Sequence, residues 1–291
     1  MVIVQIFGGL GNQLFQYSMG RAVGLENGVD VKYDVTKFKT GGLRKYELSN
    51  FCINGVLATR IDIIRIKYSR LSILKRICLA NRKKRPHFGK SFIPEENFHY
   101  APQALENKNN AYLSGYWQSY KYFENYWDKI STEFIPKNSL CNAALTYKNE
   151  ISSCNAVSLH IRRGDYITNV NANKFHGLCS IDYYKAAIKV IKDDVLKPYF
   201  FIFSDDLDWA IENFSFLKDS TFVKLPKETA DYEEMFLMSY CKHNIIANST
   251  FSWWGAWLNR NRKKIVLAPS KWFTDLEINT SDLIPPTWRV L

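Results

Sequence analysis

The sequence lacks several features that would place it in a class at once. Its six cysteines (Cys52, Cys78, Cys141, Cys154, Cys179, Cys241) form no Cys-x-x-Cys and no paired zinc spacing. Free thiols in a reducing compartment are therefore expected. Its five histidines stand at no metal-ligand spacing, which argues against zinc. No apolar run approaches the ~18 residues of a membrane span. The apolar start, Met1-Val2-Ile3-Val4-Gln5-Ile6-Phe7, has neither a basic leader nor a cleavage site. It reads as a first strand rather than a signal peptide. No low-complexity tract or internal repeat stands out. A G-x-x-x-x-G-K-[ST] loop and the kinase motif set are both missing, which excludes the commonest phosphate-transfer designs. These absences point to a cytoplasmic protein.

What is there is apolar and aromatic. Of 291 residues, 46% are hydrophobic and 15% aromatic, enough for about two domains with substantial cores. The net charge is +11, but it is concentrated. Residues 60–90 hold eleven Lys or Arg against one acid, Asp62, a net +10. The rest of the chain is close to neutral, so no nucleic-acid partner is expected. Within the basic segment Ile61, Ile64, Tyr68, Leu71 and Ile73/Leu74 recur at helix-like spacing. Two readings stay open there: a solvated helix packed on its own domain, or peripheral contact with the anionic inner face of a membrane.

The chain alternates strands and helices. Residues 2–7 read as a strand, Gly8-Gly9-Leu10-Gly11-Asn12-Gln13 as a glycine-rich turn, residues 14–26 as a helix closed by Asn27-Gly28, and residues 29–34 as a second strand. This is a βαβ unit. The turn is not a dinucleotide fingerprint, because Leu14 replaces the third Gly of G-x-G-x-x-G. Gly9 and Gly11 still let backbone approach a ligand. Asn12 and Gln13 are expected at the helix start, facing a cleft. Residues 35–110 read as irregular. Residues 112–119 read as a strand and its exit, residues 120–134 as an aromatic-rich helix stopped by Pro136, and residues 136–154 as a polar-flanked helix linking to a second domain.

The most informative stretch is His160-Ile161-Arg162-Arg163-Gly164-Asp165-Tyr166. It follows Ala156-Val157-Ser158-Leu159, which reads as a buried strand. Side chains alternate along a strand, so Val157, Leu159 and Ile161 share one face, and Ser158, His160 and Arg162 the other. Ligands of open α/β sheets sit beyond the carboxyl ends of strands. Two arginines there suggest a phosphate group, because a guanidinium fork matches phosphate oxygens. The plainer alternative is a strand-end salt bridge between Arg163 and Asp165. The Arg-Gly-Asp triplet follows a buried strand rather than opening a loop tip, which argues against an adhesion motif.

Further strands are expected at residues 199–203, ending in Ser204-Asp205-Asp206, and at residues 244–247, followed by Asn248-Ser249-Thr250-Phe251-Ser252. Helices are expected from Ser180, over 206–213 and over 229–239. If the strands are parallel, their ends gather His160/Arg162, Asp205/Asp206 and Asn248/Ser249/Thr250 at one sheet edge. The last group opens a helix, where backbone N–H groups and hydroxyls suit an anion, or where it simply caps the helix. Asp206 suits a ribose or guanine edge, or an N-cap. Asp205, Asp206 and Asp208 resemble a metal-binding Asp-x-Asp, but arginines already supply the charge a diphosphate needs. A nucleoside diphosphate fits these groups, which favours a nucleotide-sugar transferase over a kinase.

Taken in order, four runs resemble bacterial α-1,2-fucosyltransferases of glycosyltransferase family 11. They are the Phe7-to-Tyr17 glycine run, His-x-Arg-Arg-Gly-Asp-Tyr, Phe203-Ser204-Asp205, and Asn248-Ser249-Thr250-Phe251-Ser252-Trp253-Trp254-Gly255. Gly115-Tyr116-Trp117-Gln118-Ser119 and Pro285-Pro286-x-Trp288 resemble the family too. The resemblance implies a GT-B-like α/β fold of two Rossmann-like domains facing across a cleft. Residues 1–145 would be the acceptor side, with Gly9, Gly11, Asn12 and Gln13 lining the cleft. Residues 146–291 would bind GDP-fucose. It implies GDP-β-L-fucose as donor, inversion to an α-linkage on the 2-OH of a galactoside oligosaccharide or glycolipid-linked acceptor, no cofactor and no essential metal. Arg162 matches the phosphate-contacting arginine, with Arg163, Ser204, Asp205, Asp206, Asn248, Ser249, Thr250, Phe251 and Ser252 around the donor. Residues 167–175 hold no carboxylate, so the acceptor base stays unassigned between Asp165, His160 and a dissociative route with late proton transfer to phosphate.

Overall fold

A computed structural model describes residues 1–40, 44–67, 91–106, 109–164, 175, 177–275 and 277–291. The chain divides into two compact units. The first comprises Met1–Lys137 with Ser281–Leu283, and the second Asn138–Thr280 with Ile284–Leu291.

The first unit is built on strands β1 (Val2–Gln5), β2 (Val31–Asp34), β3 (Val56–Leu57), β4 (Phe92–Pro94) and β5 (Ala111–Ser114). They pair in parallel in the order β3-β2-β1-β5-β4. Every residue of β1 is buried, as a central parallel strand covered on both faces requires. Helix α1 (Leu10–Asn27) follows β1 and ends at Gly28, whose left-handed φ of 61° lets its N–H bond Gly24 O. The helix starts four residues before the expected Leu14, with Gly9 at its N-cap. Gly11, Asn12 and Gln13 thus belong to its first turn, not to the loop. The short helix α2 (Arg60–Lys67) packs Ile66 inward but leaves Ile61 and Ile64 exposed. The expected basic amphipathic helix falls otherwise on residues 68–90, outside the described residues.

The expected helix over 120–134 is broken instead into 3-10 turns at Tyr120–Tyr122, Glu124–Tyr126 and Ser131–Glu133, around one α-turn, α3 (Trp127–Ile130). Tyr122, Phe123, Ile130 and Phe134 are all buried. Burying aromatics that point in several directions outweighs a continuous helix with one apolar stripe. A buried ion pair braces this segment: Arg21 reaches Glu133 at 2.6 Å, and Tyr17 donates to the same carboxylate.

The second unit holds β6 (Asn155–Ile161), β7 (Pro198–Ser204), β8 (Ser220–Phe222), β9 (His243–Ile245), β10 (Val266–Ala268) and β11 (Arg289–Val290). These pair in parallel in the order β11-β10-β9-β6-β7-β8. Its helices are α4 (Asn142–Ser152), α5 (Ile181–Asp194), α6 (Leu207–Phe214), α7 (Asp231–Tyr240) and α8 (Thr250–Leu258). Val157, Leu159 and Ile161 pack with Tyr184, Ile188 and Phe214 on one face, as the alternation predicts. Ala156, Phe201 and Phe203 pack with Ala144, Leu237 and Met238 on the other. Helices thus cover both faces, the doubly wound arrangement of the expected α/β, GT-B-like pair of Rossmann-like units. Helix α4 joins this second core through Ala144 and Ile151. The units accordingly divide ahead of α4, at Lys137, and not inside it at residue 145.

Among the described residues no helix is long and apolar enough to cross a membrane. Cys52, Cys141, Cys154, Cys179 and Cys241 are free thiols.

Candidate functional site

The ends of β6 and β7 lie side by side, with Ile161 paired to Ser204. The residues that follow interlock. Arg162 Nη1 meets Asp205 Oδ2 at 3.1 Å. The backbone N–H of Arg163 donates to the other oxygen of Asp205 at 2.8 Å. Gly164 packs closely beside them: a Cβ there would stand 3.0 Å from Asp205 Oδ2, so that carboxylate would have to shift by a few tenths of an ångström. Arg163 Nε lies 3.3 Å from Asp206 Oδ2, and its guanidinium stacks 3.7 Å above the Trp209 ring. Asp206 also caps α6 by accepting from Trp209 N, and Ser204 Oγ accepts from Asp206 N at 3.0 Å. The strand-end salt bridges of the described residues therefore run to Asp205 and Asp206. Asp165, the expected partner of Arg163, lies outside the described residues.

Arg163 is fixed by a carboxylate and a stacked indole. Arg162 is held by Asp205, and the two arginine side chains are about equally exposed, at 18% and 19%. A guanidinium has five N–H donors, so one held by a carboxylate at a strand end still has donors to offer a phosphate.

His160 precedes this pair and is only 2% exposed. Its ring packs 5.9 Å from Phe251, at the start of α8. Burial, then the Arg162 charge, pushes its pKa down to about 3. The imidazole is therefore neutral at physiological pH. Its Nδ1 is buried without a hydrogen-bond partner.

Helix α8 is capped by Ser249, whose side chain accepts from Phe251 N at 3.3 Å. Ser252 is buried and donates to Ser249 O. Asn248 is buried as well, and its side chain binds protein. Its Nδ2 donates to Gly177 O and Trp272 O, each at 3.2 Å, and its Oδ1 accepts from Cys179 Sγ at 3.4 Å. Asn248 thus ties loops together behind the helix start. Thr250 and Phe251 are partly exposed there. Trp253 stacks on Trp257 and meets Trp288, which explains the tryptophans of α8 and of the C-terminal tail as core.

One carboxyl absent from the sequence reading stands close by. Glu234, in the first turn of α7, has its pKa raised to about 7. Burial is the main cause, followed by repulsion from Asp231 and Asp205, with Arg162 acting in the opposite sense. Only a three-dimensional fold brings α7 to the ends of β6 and β7. Among the described residues no group of three or more His, Cys, Asp or Glu is placed to hold a metal ion.

In the first unit the glycine turn differs from expectation. Gln13 is fully buried. Its Nε2 donates to Gly8 O at 3.0 Å and Lys45 O at 2.8 Å, and its Oε1 accepts from Glu47 N at 2.9 Å. Because α1 begins at Leu10, Gln13 turns inward and pins a neighbouring loop, and does not line a cleft. Asn12 stays partly exposed and accepts from Gln118 Nε2 at 2.8 Å. Gly9 and Gly11 flank the helix start, Gly9 partly exposed and Gly11 buried.

The family model described as Glycosyl transferase family 11 matches residues 1–290. Over 299 residues the chain is 34% identical to an Escherichia coli protein named alpha-1,2-colitosyltransferase, with 99% of this chain and 98% of that one covered. It is 37% identical over 304 residues to the Escherichia coli O-antigen biosynthesis glycosyltransferase WbnK, with 97% of each covered. A galactoside alpha-(1,2)-fucosyltransferase 1 of Leontocebus fuscicollis is 26% identical over 155 residues, half of this chain and 42% of that one. Among solved structures, a mutant of Arabidopsis thaliana FUT1 in complex with GDP superposes with a TM-score of 0.52. That match covers 98% of this chain and 74% of that one at 11% identity, a likeness of fold.

Proposed function

The chain belongs to glycosyltransferase family 11, and on that premise we propose that it moves L-fucose from GDP-β-L-fucose to the 2-hydroxyl of a terminal galactoside, with inversion to an α-1,2 linkage. Arg162, anchored to Asp205 at the end of β6, is the observation that carries this reading. The bond from the sugar C1 to the β-phosphate oxygen breaks, and a bond from C1 to the acceptor O2 forms. GDP leaves with the electron pair, and the acceptor proton follows to a base or to a phosphate oxygen. Negative charge grows on the departing diphosphate, so a guanidinium aimed at it stabilises the transition state more than the ground state. The start of α8, capped by Ser249, adds the positive end of its helix dipole to the same anion. Asp206 caps α6 and holds Arg163, and its remaining lone pairs, on a side chain 31% exposed, are left for the ribose or the guanine edge. Because arginine supplies the positive charge, the transfer needs no metal.

Two relatives carry alpha-1,2 in their names although they are named for different sugars, which supports the linkage more strongly than the sugar. Colitose is fucose without its 3-hydroxyl. A donor competition between the two GDP-sugars therefore separates the readings: a site that hydrogen-bonds the 3-hydroxyl discriminates strongly against its absence. The function is tested by GDP release from GDP-fucose with and without lactose, N-acetyllactosamine or galactosyl-N-acetylgalactosamine. Acceptor-dependent release is expected. A protein that binds GDP-fucose but never releases GDP to any of these acceptors would be a binding protein instead.

His160 is a poor base in this scheme. It is enclosed, and its lowered pKa makes it a weak proton acceptor. Its role is to support the end of β6 against Phe251, ahead of Arg162.

A further inference from the structure

Helix α2 carries isoleucine on two opposite faces. At about 100° per residue, Ile63 and Ile66 point one way and Ile61 and Ile64 the other. The first pair packs on the sheet. Ile66 is buried with Ile3 of β1 and Tyr112 of β5, and Ile63 lies against them. The second pair is left over: Ile61 is 77% exposed and Ile64 41%. For these two residues, the reading in which the basic segment packs its apolar stripe on its own domain therefore fails. The edge strand β3, just upstream, also leaves Val56 and Leu57 more than half exposed.

The helix start holds this face outward. Thr59 donates to Asp62 Oδ2 from its N–H at 2.9 Å and from its hydroxyl at 2.8 Å. Asp62 N donates back to Thr59 Oγ1 at 3.1 Å, which closes a capping box. Lys32 Nζ meets the same Asp62 oxygen at 2.9 Å. Asp62 is the single acid of residues 60–90, and these bonds occupy it. At helical spacing Arg60 and Arg65 fall on either side of the Ile61/Ile64 face. Both are exposed, and among the described residues neither enters an ion pair. An isoleucine ridge between two unpaired guanidinium groups thus opens the part of the sequence that carries a net +10.

We propose that this face of α2 docks on an anionic lipid bilayer, with Ile61 and Ile64 at the boundary of headgroups and acyl chains and Arg60 and Arg65 on lipid phosphates. An apolar ridge flanked by basic side chains lies in that plane, and the long arginine stems keep the charge at headgroup level. Basic residues near such a surface add an attraction that falls off within a Debye length. A second copy of this chain fits less well, because a two-fold contact centred on the ridge sets arginines against arginines. Nucleic acid fits poorly too, since its phosphates offer the isoleucines nothing. The proposal goes beyond the transfer reaction and does not depend on it.

Vesicle flotation of the full chain tests it. Vesicles of equal parts phosphatidylglycerol and phosphatidylcholine are compared with vesicles of phosphatidylcholine alone. The double variant Ile61→Ser/Ile64→Ser removes the ridge, and Arg60→Ser/Arg65→Ser removes its flanking charge. All four side chains are exposed, so melting temperature and GDP affinity should stay at wild-type values. At low salt the wild type is expected to bind the anionic vesicles at least about tenfold more tightly than the neutral ones. The isoleucine variant should weaken that binding about fivefold or more, and the arginine variant should weaken it similarly and flatten its salt dependence. A wild type that ignores anionic vesicles, or binds neutral ones equally, would overturn the proposal. So would undiminished binding by the isoleucine variant, which would leave the attraction to charge alone. Sedimentation velocity without lipid reads the other occupant: a dimer that the isoleucine variant abolishes would give this face to a second copy and overturn the lipid assignment.

Discussion

Arg162 and Asp205 join the ends of two adjacent parallel strands through a salt bridge of 3.1 Å. The same carboxylate accepts the backbone N–H of Arg163, so Asp205 positions both arginines. Arg162→Ala is expected to lower turnover roughly 100-fold or more, by analogy with loss of one oxyanion donor. Arg162→Lys should restore little, because an ammonium lacks the planar fork. Steady-state kinetics with GDP-fucose decide this. More than half of wild-type turnover in Arg162→Ala would remove Arg162 from the phosphate site.

Gln13 yields a prediction about stability. Its buried side chain makes three hydrogen bonds to partly buried backbone groups. Gln13→Ala removes the side-chain partner of Glu47 N, Gly8 O and Lys45 O, at a cost of about 1–2 kcal/mol because these groups are only partly buried. Denaturant titration should show this loss, while GDP affinity of the folded variant stays near wild type. An unchanged midpoint would contradict the pinning role.

Glu234 should couple GDP binding to protons. Its pKa is raised to about 7, chiefly by burial. Its ionised form is therefore disfavoured in the fold. The associated loss of stability is absent below its ordinary unfolded value, grows as pH rises, and is complete above about 7. A diphosphate bound beside Arg162 would raise the pKa further, so GDP binding near pH 7 takes up protons and weakens at higher pH. Calorimetry in buffers of different ionisation enthalpy reads this uptake. Glu234→Gln should abolish it and gain stability at pH 8 relative to wild type. Identical proton uptake in the variant would place the diphosphate elsewhere.

His160 acts in the opposite pH range. Its folded pKa of about 3 lies below the ordinary 6.5, so the unfolded chain binds the proton first on acidification. Its contribution to stability is complete above about 6.5 and is lost progressively as pH falls toward 3. His160→Phe should flatten that acid limb in a melting-temperature series. An acid limb as steep as wild type would show that other groups set it.

The proposed absence of a metal is checked by assaying transfer in excess EDTA. Activity should persist. Loss that Mg²⁺ or Mn²⁺ restores would reassign Asp205, Asp206 and Asp208 as ligands.

The legible parts of this molecule were those with long or alternating patterns. Strand β6 could be read with its faces because the five residues Val157 to Ile161 alternate apolar and polar, and Ser180 could be read as the cap of α5 because its hydroxyl does that work locally. Strands β3, β8 and β11 span only two or three residues each, too few for a period to show. The start of α1 is hidden in the sequence because Gly9 and Gly11 look like loop residues, yet Gly9 is the N-cap. The pairing of the arginines with Asp205 and Asp206 spans over forty positions, so only parallel pairing of β6 with β7 reveals it. Glu234 gave no local signal, because its environment is made in part by Asp205, a neighbour distant in sequence.

The central claim is a fucosyl transfer to one hydroxyl with inversion, and the product itself tests it most directly. Wild-type protein, GDP-β-L-fucose and the best of the three galactoside acceptors should yield one trisaccharide or larger product for each GDP released. Its NMR spectrum should show an α-linked fucose correlated to C2 of the terminal galactose. A β-linked fucose, a linkage to another carbon, or no acceptor-dependent product from a folded, GDP-binding enzyme would contradict the account.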